Sequence, residues 1–519
     1  MSEKFSGSRR EFHRVAIGLA LAGMAAPLWA RPQSAPRWMS NPFALGVASG
    51  QPRPDSVVLW TRLVPSLADA AISGSALPVK HEIFADAELR RPVMRGETVT
   101  DASRAHSVHV IARGLQPQRD YWYRFTCGDA VSAVGHTRTA PAEDAAVQRM
   151  RFALVSCQHY EQGYYTAHRE IAGRDLDFVL FVGDYIYEGG ASAPLVRRHG
   201  ARPPHTLDEY RVRHALYKSD ADLQAAHAAH PWIVTWDDHE VVNDYANDRD
   251  PAYTDPAVFL RRRAAAYQAY FEHMPLALPP QGASMRIHDR YVWGRLAELW
   301  TLDCRQYRSH HACPGAKRDS NRSLRETACA ELSDPARTML GADQERWIDQ
   351  GLAGSTRRWK LIGQSTQMSA TGIETPEGRK VWTDGWDGYP EARRRFLQGV
   401  ANAGVGDLVV LGGDVHRHVA ANLRVRPNDP DSPVIASEFV CTSISSSGSS
   451  RASMERLRRD NPDVKHARGD ERGYAYVELT PERMQCELRA TSHPVRQDSV
   501  FSTQADFVVE AGRPGVQDA

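Results

Sequence analysis

The sequence predicts an α/β protein in which two packed mixed sheets carry helices on their outer faces, preceded by a smaller β-rich region. After residue 148, short continuous apolar runs alternate with helical segments, whereas residues 42–140 show apolar and polar residues in alternation. Continuous runs are typical of buried parallel strands, and alternation is typical of half-buried strands. At 519 residues, two domains are expected, because a single core stops growing below this length.

The N-terminal β-rich region is predicted from three segments with strand alternation: Val57–Arg62, Lys80–Phe84 and Ala105–Ala112. A Leu-x-Pro turn at Leu115 precedes the alternating aromatic run Tyr121–Phe125. This pattern resembles the tyrosine corner of a fibronectin-type sandwich. We therefore expect a small fibronectin-like β-sandwich domain over residues 42–140. An Ala- and Pro-rich linker joins it to a larger α/β domain over residues 148–505.

In the larger domain, strands and helices alternate. Helices are expected at Tyr165–Ala172 and Leu207–His230, and the segments Ser443–Ser453 and Gln497–Ala519 look loop-like. Further strands are predicted at Glu298–Leu302, Trp359–Ile362, Val419–Leu423 and Tyr474–Leu479. This alternation with late hairpins predicts the two packed mixed sheets.

Polar side chains follow four of the apolar runs, at the point where each run ends. Cys157 follows Phe152–Val155, Asp184 follows Phe178–Val182, Asp238 follows Trp232–Val234, and Asp414 follows Leu408–Leu411. Ligands of open α/β sheets bind at the carboxyl ends of the strands, so these side chains are expected to meet in one crevice. Carboxylates, a thiolate, a phenol and an imidazole there indicate a dinuclear, hydrolytic metal site.

Three side chains form the first half of this predicted site. Asp184 has two carboxylate oxygens and can bridge two cations. Tyr187, three residues later, offers a phenolate, and Cys157 offers a thiolate. This donor set suits iron better than magnesium or calcium. The alternatives are a Tyr187 ring packed beneath the sheet and a Cys157 that is a small buried apolar residue.

Two further pairs complete the predicted ligands. Asp414 and His416 stand at alternate positions, so both side chains point to one side of an extended segment. Asp238 is predicted to bind the second metal, and the adjacent His239 to assist the leaving oxygen. The alternative for the cluster Asp237–Glu240 is a cap at a helix N-terminus, where acidic residues are favoured.

Two residues are candidates for substrate contacts. Asn243 is expected to complete the shell of the second metal or to contact the substrate. Arg305 follows another predicted strand, and a bidentate guanidinium suits a phosphate clamp. A surface ion pair is the alternative for Arg305.

The charge balance and the N-terminus bear on location and partners. Lys plus Arg number 64 and Asp plus Glu 63, which gives no electrostatic footprint for nucleic acid or a membrane surface. Ser8–Phe12 matches the twin-arginine export pattern, and the apolar stretch Val15–Ala30 is too short for a stable membrane anchor. We expect a signal peptide over residues 1–30, recognition by the twin-arginine export machinery, and a periplasmic or secreted protein. A chance arginine pair in an ordinary signal is the alternative.

The seven cysteines suggest one disulfide. Cys313 and Cys329 flank a polar loop and are the expected bridge, which export permits. Cys157 is expected to stay free, and the other four are interpreted as buried apolar residues.

With these residues, the chain resembles the alkaline phosphatase D (PhoD) family of exported metallophosphoesterases. The matching motifs are Ser156–Gln158, Gly183–Glu188, Thr235–Glu240, Asp303–Arg308, Trp386–Pro390 and Gly413–His416. The resemblance implies a metallophosphoesterase-like four-layer α/β/β/α sandwich. It also implies iron(III) on Cys157, Asp184, Tyr187 and His416, with calcium on Asp184, Asp414 and the loop Asp238–Asn243.

The activity that the resemblance implies is hydrolysis of small phosphate monoesters at alkaline pH, and of diesters in some members, through direct attack of a metal-activated water. Two departures from the family pattern stand out: Val242-Asn243-Asp244 where Glu-Asn-Asn is expected, and Cys304 where Thr is expected. The first leaves the identity of the second metal open. The alternatives are a dedicated phosphodiesterase or phospholipase D-like enzyme on the same site, and an inactive exported binding protein.

Overall fold

The computed structural model describes residues 36–66, 69, 74–192, 195–200, 202–315 and 322–519. The expected signal peptide, residues 1–30, lies outside this range. The described chain is a mixed α/β protein with several sheets, as the sequence predicts. None of its described helices combines the length and the apolar character needed to cross a membrane.

The strands are β1 (Val47–Gly50), β2 (Ser56–Arg62), β3 (Leu77–Phe84), β4 (Pro92–Thr100), β5 (Ser107–Arg113), β6 (Asp120–Cys127), β7 (Ala130–Val131), β8 (Gly135–Arg138), β9 (Met150–Val155), β10 (Phe178–Val182), β11 (Pro231–Thr235), β12 (Asp289–Trp293), β13 (Ala297–Thr301), β14 (Ser323–Arg325), β15 (Trp359–Gly363), β16 (Lys380–Trp382), β17 (Leu408–Gly412), β18 (His418–Arg424), β19 (Val434–Val440), β20 (Val464–Arg468), β21 (Glu471–Leu479), β22 (Arg483–Ser492), β23 (Ser502–Glu510) and β24 (Arg513–Asp518). The helices are α1 (Thr166–Ala172), α2 (Leu207–Lys218), α3 (Ala221–Ala229), α4 (Pro256–His273), α5 (Ala342–Gly354), α6 (Pro390–Asn402) and α7 (Arg451–Asp460).

Two large sheets form the body of the molecule. The ten-stranded sheet has the order β24-β23-β22-β21-β9-β10-β11-β1-β2-β5, and β9, β10 and β11 are parallel at its centre. The seven-stranded sheet has the order β12-β13-β15-β17-β19-β18-β20, with β13, β15, β17 and β19 parallel. The four apolar runs that the sequence analysis singled out lie in β9, β10, β11 and β17, as predicted.

The two large sheets share one hydrophobic core. Phe152, Leu180 and Ile233 from the ten-stranded sheet belong to the same buried cluster as Leu361 and Val409 from the seven-stranded sheet. The opposite face of the ten-stranded sheet packs against α1 to α4, and that of the seven-stranded sheet packs against α5 and α6. Strands buried on both faces explain why β10 and β17 read as continuous apolar runs.

The N-terminal region shares a sheet with the rest of the chain. Strands β1, β2 and β5 continue the ten-stranded sheet through the parallel pairing of β1 with β11. The five-stranded sheet of β3, β4, β6, β7 and β8 packs on them through residues such as Leu59, Val79 and Tyr123. At the predicted tyrosine corner, the Tyr121 hydroxyl accepts a hydrogen bond from the Gln116 amide at 2.9 Å.

Two local predictions were wrong. The expected helix Leu207–His230 is two helices, because Asp220 leaves helical geometry and its side chain caps the second helix at Asp222 and Leu223. Gln497–Ala519 contains β23 and β24 rather than a loop.

The segment Ser443–Ser453 is a loop up to Ser450, as expected, and its last three residues begin α7. Ser443, Ser445 and Ser446 are fully buried, and Arg472 donates to the Ser443 hydroxyl at 2.7 Å. A serine-rich sequence can be buried when every hydroxyl finds a partner. The disulfide between Cys313 and Cys329 is confirmed, and the five other cysteines, including Cys157, are free and buried.

Candidate metal centre

The predicted crevice lies where the carboxyl ends of the parallel strands meet. In the ten-stranded sheet, Val155 pairs with Phe181 and Val182 pairs with Thr235, so β9, β10 and β11 end at nearly the same level. In the seven-stranded sheet, Gly363 pairs with Leu411. The side chains that follow these strands are therefore brought together from both sheets.

The backbone at these strand ends is unusual. Cys157, Asp184, Asp244, Asp414 and His416 all have positive φ values, between 51° and 64°. The left-handed region disfavours residues with a Cβ, and such strain concentrates at functional sites. Five strained residues of this kind at neighbouring strand ends indicate a functional site, in which the backbone fixes the direction of each side chain.

Two glycines allow the strand ends to approach each other. A Cβ on Gly183 would lie 2.5 Å from the Cβ of Asp237, and one on Gly413 would lie 2.6 Å from the Ser156 hydroxyl. Both separations are far below van der Waals contact, so only glycine fits. These residues let the loop after β10 touch the loop after β11, and β17 touch β9.

The first cluster joins Cys157, Asp184 and His416, whose ligand atoms lie within 4.8 Å of one another. The Tyr187 hydroxyl lies between them, donating to Asp184 Oδ2 at 2.9 Å and standing 3.0 Å from His416 Nε2. The Ser446 hydroxyl donates to Tyr187 Oη at 2.9 Å. His416 Nδ1 donates to the Ser447 carbonyl at 2.7 Å, which leaves Nε2 as the ligand atom. All four predicted residues of this half of the site are thus neighbours.

The acidic groups of this cluster are in an environment that opposes their charge. Burial, and then the negative charge of Asp184, raises the pKa of the Cys157 thiol well above its ordinary value, and the same causes raise the pKa of Tyr187. Burial also raises the pKa of Asp184. A bound cation inverts this balance and favours the thiolate, the phenolate and the carboxylate together.

Asp184 also belongs to a second grouping. Its carboxylate clusters with Asp238 and His239 as well as with Cys157 and His416. Its buried Oδ1 has no hydrogen-bond partner among the described residues. A buried carboxylate oxygen without a donor is costly, so this atom suits a metal ion, and the bridging position expected of Asp184 is compatible with the geometry.

The second cluster is a set of carboxylates formed by Asp238, Asp244 and Asp384. The Asp244 amide donates to Asp238 Oδ2 at 2.6 Å. Asp414 lies on the other side, where its Oδ2 accepts a hydrogen bond from the Thr366 hydroxyl at 2.6 Å. Burial and then the charge of Asp237 raise the pKa of Asp414 to about 8. Oxygen ligands of this kind suit a hard divalent cation.

Arg305 lies among these carboxylates rather than at the surface. Its side chain is 1% exposed, and its guanidinium contacts Asp237, Asp384 at 2.8 Å and Asp238 at 3.3 Å. The surface ion pair considered for Arg305 is therefore wrong. All three guanidinium nitrogens face acids, so a direct contact with phosphate stays a prediction.

His239 is oriented by Glu188. Its Nδ1 donates to Glu188 Oε2 at 2.6 Å, and the Asn243 amide donates to the other oxygen of Glu188 at 2.9 Å. The His239 ring packs against the Tyr187 ring at 4.1 Å between centroids. Burial opposes a charge on His239, but Glu188 and then Asp184 outweigh it and hold its pKa above the ordinary value. The ring is therefore held by Nδ1, and its charged form is favoured.

Asn243 is less well placed to bind a metal than Asp244. Its side chain is exposed and donates to the carboxylate of Asp244, so its role as a ligand stays a prediction. Asp244 and Asp384 are not predicted as ligands from the sequence, although Asp244 adjoins Asn243 and Asp384 lies two residues before the motif Trp386–Pro390. Proximity to a recognised motif was the available signal for both. Glu188 closes the motif that contains Asp184 but was also left without a role.

Comparisons with known proteins show which family the chain resembles over most of its length. The family model described as "PhoD-like phosphatase" matches residues 152–488, and the model "PhoD-like phosphatase, N-terminal domain" matches residues 29–141. The chain is 41% identical over 495 residues to "Alkaline phosphatase D" of Bacillus subtilis (strain 168), covering 93% of this chain and 83% of that protein. The solved structure described as "Structure of PhoD" superposes with a TM-score of 0.88 at 41% identity, covering 93% of each chain.

Proposed function

The chain belongs to the family of PhoD-like phosphatases, and from this premise we propose that it is a metal-dependent hydrolase of small phosphate monoesters. One observation carries the proposal: ligand-type side chains from strand ends of both large sheets converge on Asp184, whose buried Oδ1 has no hydrogen-bond partner in the described part of the chain. Such a shared carboxylate is what a two-metal phosphoesterase requires.

The residues suit two different metals. Cys157, Asp184, Tyr187 and His416 form a thiolate, carboxylate, phenolate and imidazole set that suits iron(III). Asp184 and Asp238, which lie in one group, and Asp244 and Asp384, which group with Asp238, offer oxygen ligands that suit calcium. Asp414 and Asn243 are proposed to complete this set. When bound, the cations lower the pKa of a water and neutralise phosphate charge.

The side chains of the protein then have separate tasks. Glu188 holds His239 by Nδ1, so that Nε2 can donate a proton to the leaving oxygen. Arg305 holds Asp237, Asp238 and Asp384 in one arrangement, and a direct contact of its guanidinium with phosphate remains part of the proposal.

The attack on phosphorus is proposed to be direct. Bound cations can activate a water directly, so no protein nucleophile is needed and the leaving group is displaced in one step, with inversion at phosphorus. Two hydroxyls lie at the clusters and are the alternative nucleophiles: Thr366 donates to Asp414, and Ser446 donates to Tyr187. Hydrolysis of a phosphate ester made chiral at phosphorus measures this. Retention, or a trapped phosphorylated Thr366 or Ser446, contradicts direct attack.

Phosphate release from phenyl phosphate by the purified, metal-loaded protein tests the function. We expect a higher kcat/KM for phenyl phosphate than for bis(4-nitrophenyl) phosphate after correction for leaving-group reactivity. The reverse order supports the phosphodiesterase or phospholipase D-like alternative. If neither ester is hydrolysed with both metals bound, so that neither phosphate nor 4-nitrophenol is released, the alternative of an inactive binding protein is supported.

Two fold-level interpretations accompany the proposal. We interpret the two large sheets and their flanking helices as a four-layer α/β/β/α sandwich, with a catalytic domain over residues 148–505. The five-stranded sheet and its partners β1, β2 and β5 are interpreted as a fibronectin-like sandwich over residues 42–140. Limited proteolysis near Ala145 tests that boundary, since two domains should give two resistant fragments.

Export by the twin-arginine pathway to the periplasm or the exterior is the last part of the proposal. Replacing Arg9 and Arg10 by Lys should leave the folded precursor in the cytoplasm. Normal export of that variant contradicts the pathway. Export by another route leaves the phosphatase proposal untouched.

A further inference from the structure

A cavity of about 360 Å³ opens beside the proposed metal ligands. Asp414 and Thr366 form its inner end, and the remaining wall comes from the segments that follow β15, β16 and β17 and from α7. The volume lies at the lower end of the range for small-ligand pockets and suits one ring with its substituents. Because it adjoins Asp414, a phosphate ester held at the metal ligands can extend its leaving group into this space.

One wall of the cavity is apolar and partly exposed. Ile373, Trp382, Val415, Met454 and Leu457 line it, and Trp382 is 48% exposed. The Trp382 ring offers a face on which another ring can stack. This wall favours a flat, apolar leaving group over a short hydrophilic one.

A guanidinium, that of Arg417, also lines the cavity. Arg417 Nε and Nη2 donate to the Gln367 side-chain oxygen at 3.1 and 2.8 Å, and Arg417 forms no ion pair with a described carboxylate. Nη1 has no hydrogen bond to any described residue. Arg305 presents the opposite case, since its three nitrogens all face aspartates.

Three acids, Asp414, Asp387 and Glu438, act electrostatically on Arg417, but none forms an ion pair with it among the described residues. Each has other partners: Asp387 pairs with Arg393 at 2.7 Å, Asp414 accepts from Thr366, and Glu438 accepts from the backbone amides of Met368 and Ser369. An arginine in a partly buried cavity with one free amino group is suited to an anionic group of a ligand.

We infer that this cavity is the leaving-group subsite, and that it selects phosphate esters whose leaving group is a flat ring carrying an anionic substituent. Arg417 binds the anion through Nη1, and Trp382 stacks on the ring. The inference rests on the proposed phosphatase function and adds to it the substrate class. Neither residue touches the reacting atoms, so both act on substrate binding.

Three esters separate the contribution of Arg417, which binds the anion, from that of Trp382, which stacks on the ring. They are 4-carboxyphenyl phosphate, phenyl phosphate and glycerol 1-phosphate. In Arg417→Gln, the ratio of kcat/KM for 4-carboxyphenyl over phenyl phosphate should fall about 10-fold relative to the wild type, mainly through KM, because a charge-assisted hydrogen bond is lost. In Trp382→Ala, the ratio for phenyl over glycerol phosphate should fall about 3- to 10-fold through lost stacking. Comparing ratios between variants cancels the intrinsic reactivities of the leaving groups.

The matched control is Arg394→Gln, which removes an exposed arginine on α6 that pairs with Glu391, outside the cavity. Both ratios should stay at the wild-type value in that variant. Unchanged ratios in Arg417→Gln and Trp382→Ala overturn the inference while leaving the phosphatase proposal intact.

A binding measurement tests the cavity assignment independently of the proposed phosphatase activity. Calorimetric titration with 4-hydroxybenzoate, the alcohol product of the first ester, should show binding to the wild type that Arg417→Gln weakens about 10-fold. Binding of this kind without hydrolysis of any ester retains the cavity assignment and overturns the phosphatase proposal. Equal binding to both proteins, or none to either, overturns the assignment of Arg417.

Discussion

The two halves of the candidate metal centre balance their charges differently. In the first cluster, Cys157, Asp184 and His416 surround the neutral Tyr187 hydroxyl, and no Arg or Lys forms an ion pair with Asp184. That statement covers the described residues. In the second cluster, Arg305 contacts two of the cluster carboxylates, Asp238 and Asp384. The first cluster therefore has no arginine in ion-pair contact, although His239 and Arg472 act on it electrostatically, whereas the second holds Arg305 in direct contact.

This difference predicts unequal affinities. Metal binding to the first cluster removes the cost of burying a thiolate, a phenolate and a carboxylate, so the gain is large. In the second cluster, Arg305 has already supplied part of the compensating charge, and a divalent cation gains less. We expect one firmly held metal and one exchangeable metal.

Replacing Asp184, which belongs to the first cluster and also groups with Asp238 of the second, should have the largest effect. Asp184→Asn removes a ligand charge from each metal, and we expect kcat/KM to fall by about 10³-fold or more, since metal stabilisation of the transition state is worth several kcal/mol. Phosphate release measures it. Asp343→Asn, at a side chain that is 96% exposed, is the control and should be unaffected. If kcat/KM falls by less than 10-fold, which corresponds to about 1.4 kcal/mol, Asp184 is not a ligand of both metals.

Arg305→Met tests the internal cation of the second cluster. It leaves buried carboxylates without a partner, so the free energy of unfolding without added metal should fall by about 3–5 kcal/mol. Added calcium should recover more stability in this variant than in the wild type, because it replaces the missing charge. Denaturant unfolding with and without calcium measures both. The control is Arg394→Met, and equal calcium responses in Arg305→Met and the wild type break the comparison.

Glu188→Gln tests the positioning of His239. The carboxylate that accepts from Nδ1 becomes an amide, which holds the ring less firmly and gives its charge less support. We expect kcat/KM to fall about 10- to 100-fold, as for other residues that orient a functional histidine. The loss should be larger for esters with poor leaving groups, which need the proton most. An equal loss for all esters indicates a structural role instead.

Tyr187→Phe should have the smallest effect on stability, about 1 kcal/mol for a lost hydrogen bond. It should nevertheless remove any visible charge-transfer band from iron(III)-bound tyrosinate. Absorption spectra of the wild type and the variant, at equal iron content, measure it. A band that persists in Tyr187→Phe means that the phenol is not a ligand.

The same contrast explains what the sequence could predict. Cys157, Asp184 and Asp414 each follow a continuous apolar run, and parallel strands end at a common edge, so their convergence was predictable. Tyr187 and His416 lie within three residues of those positions. The strand itself fixes where such residues stand.

The second cluster was only partly predictable. Asp238 follows β11, but Asp244 reaches the site through a loop with a positive φ, and Asp384 comes from the segment after β16, in a separate two-stranded sheet. Neither position follows from a periodic pattern. The burial of Arg305 was missed for a similar reason, because its three partners come from two distant segments.

Beyond the site, two features could not be predicted from local sequence. The serines of Ser443–Ser446 are buried because backbone groups and Arg472 satisfy them. Strands β1, β2 and β5 of the N-terminal region join the ten-stranded sheet through the pairing of β1 with β11. Sheet pairing between distant segments leaves no mark in a single strand's pattern.

Elemental analysis before and after dialysis against a calcium chelator tests whether the centre holds one metal firmly and exchanges the other. We expect the purified protein to contain iron and calcium, and we expect dialysis to remove calcium and activity but to leave iron in place. Restoring calcium should restore activity. Iron and calcium that leave together, or a fully active protein without iron, contradict the proposed division into a firmly held and an exchangeable metal.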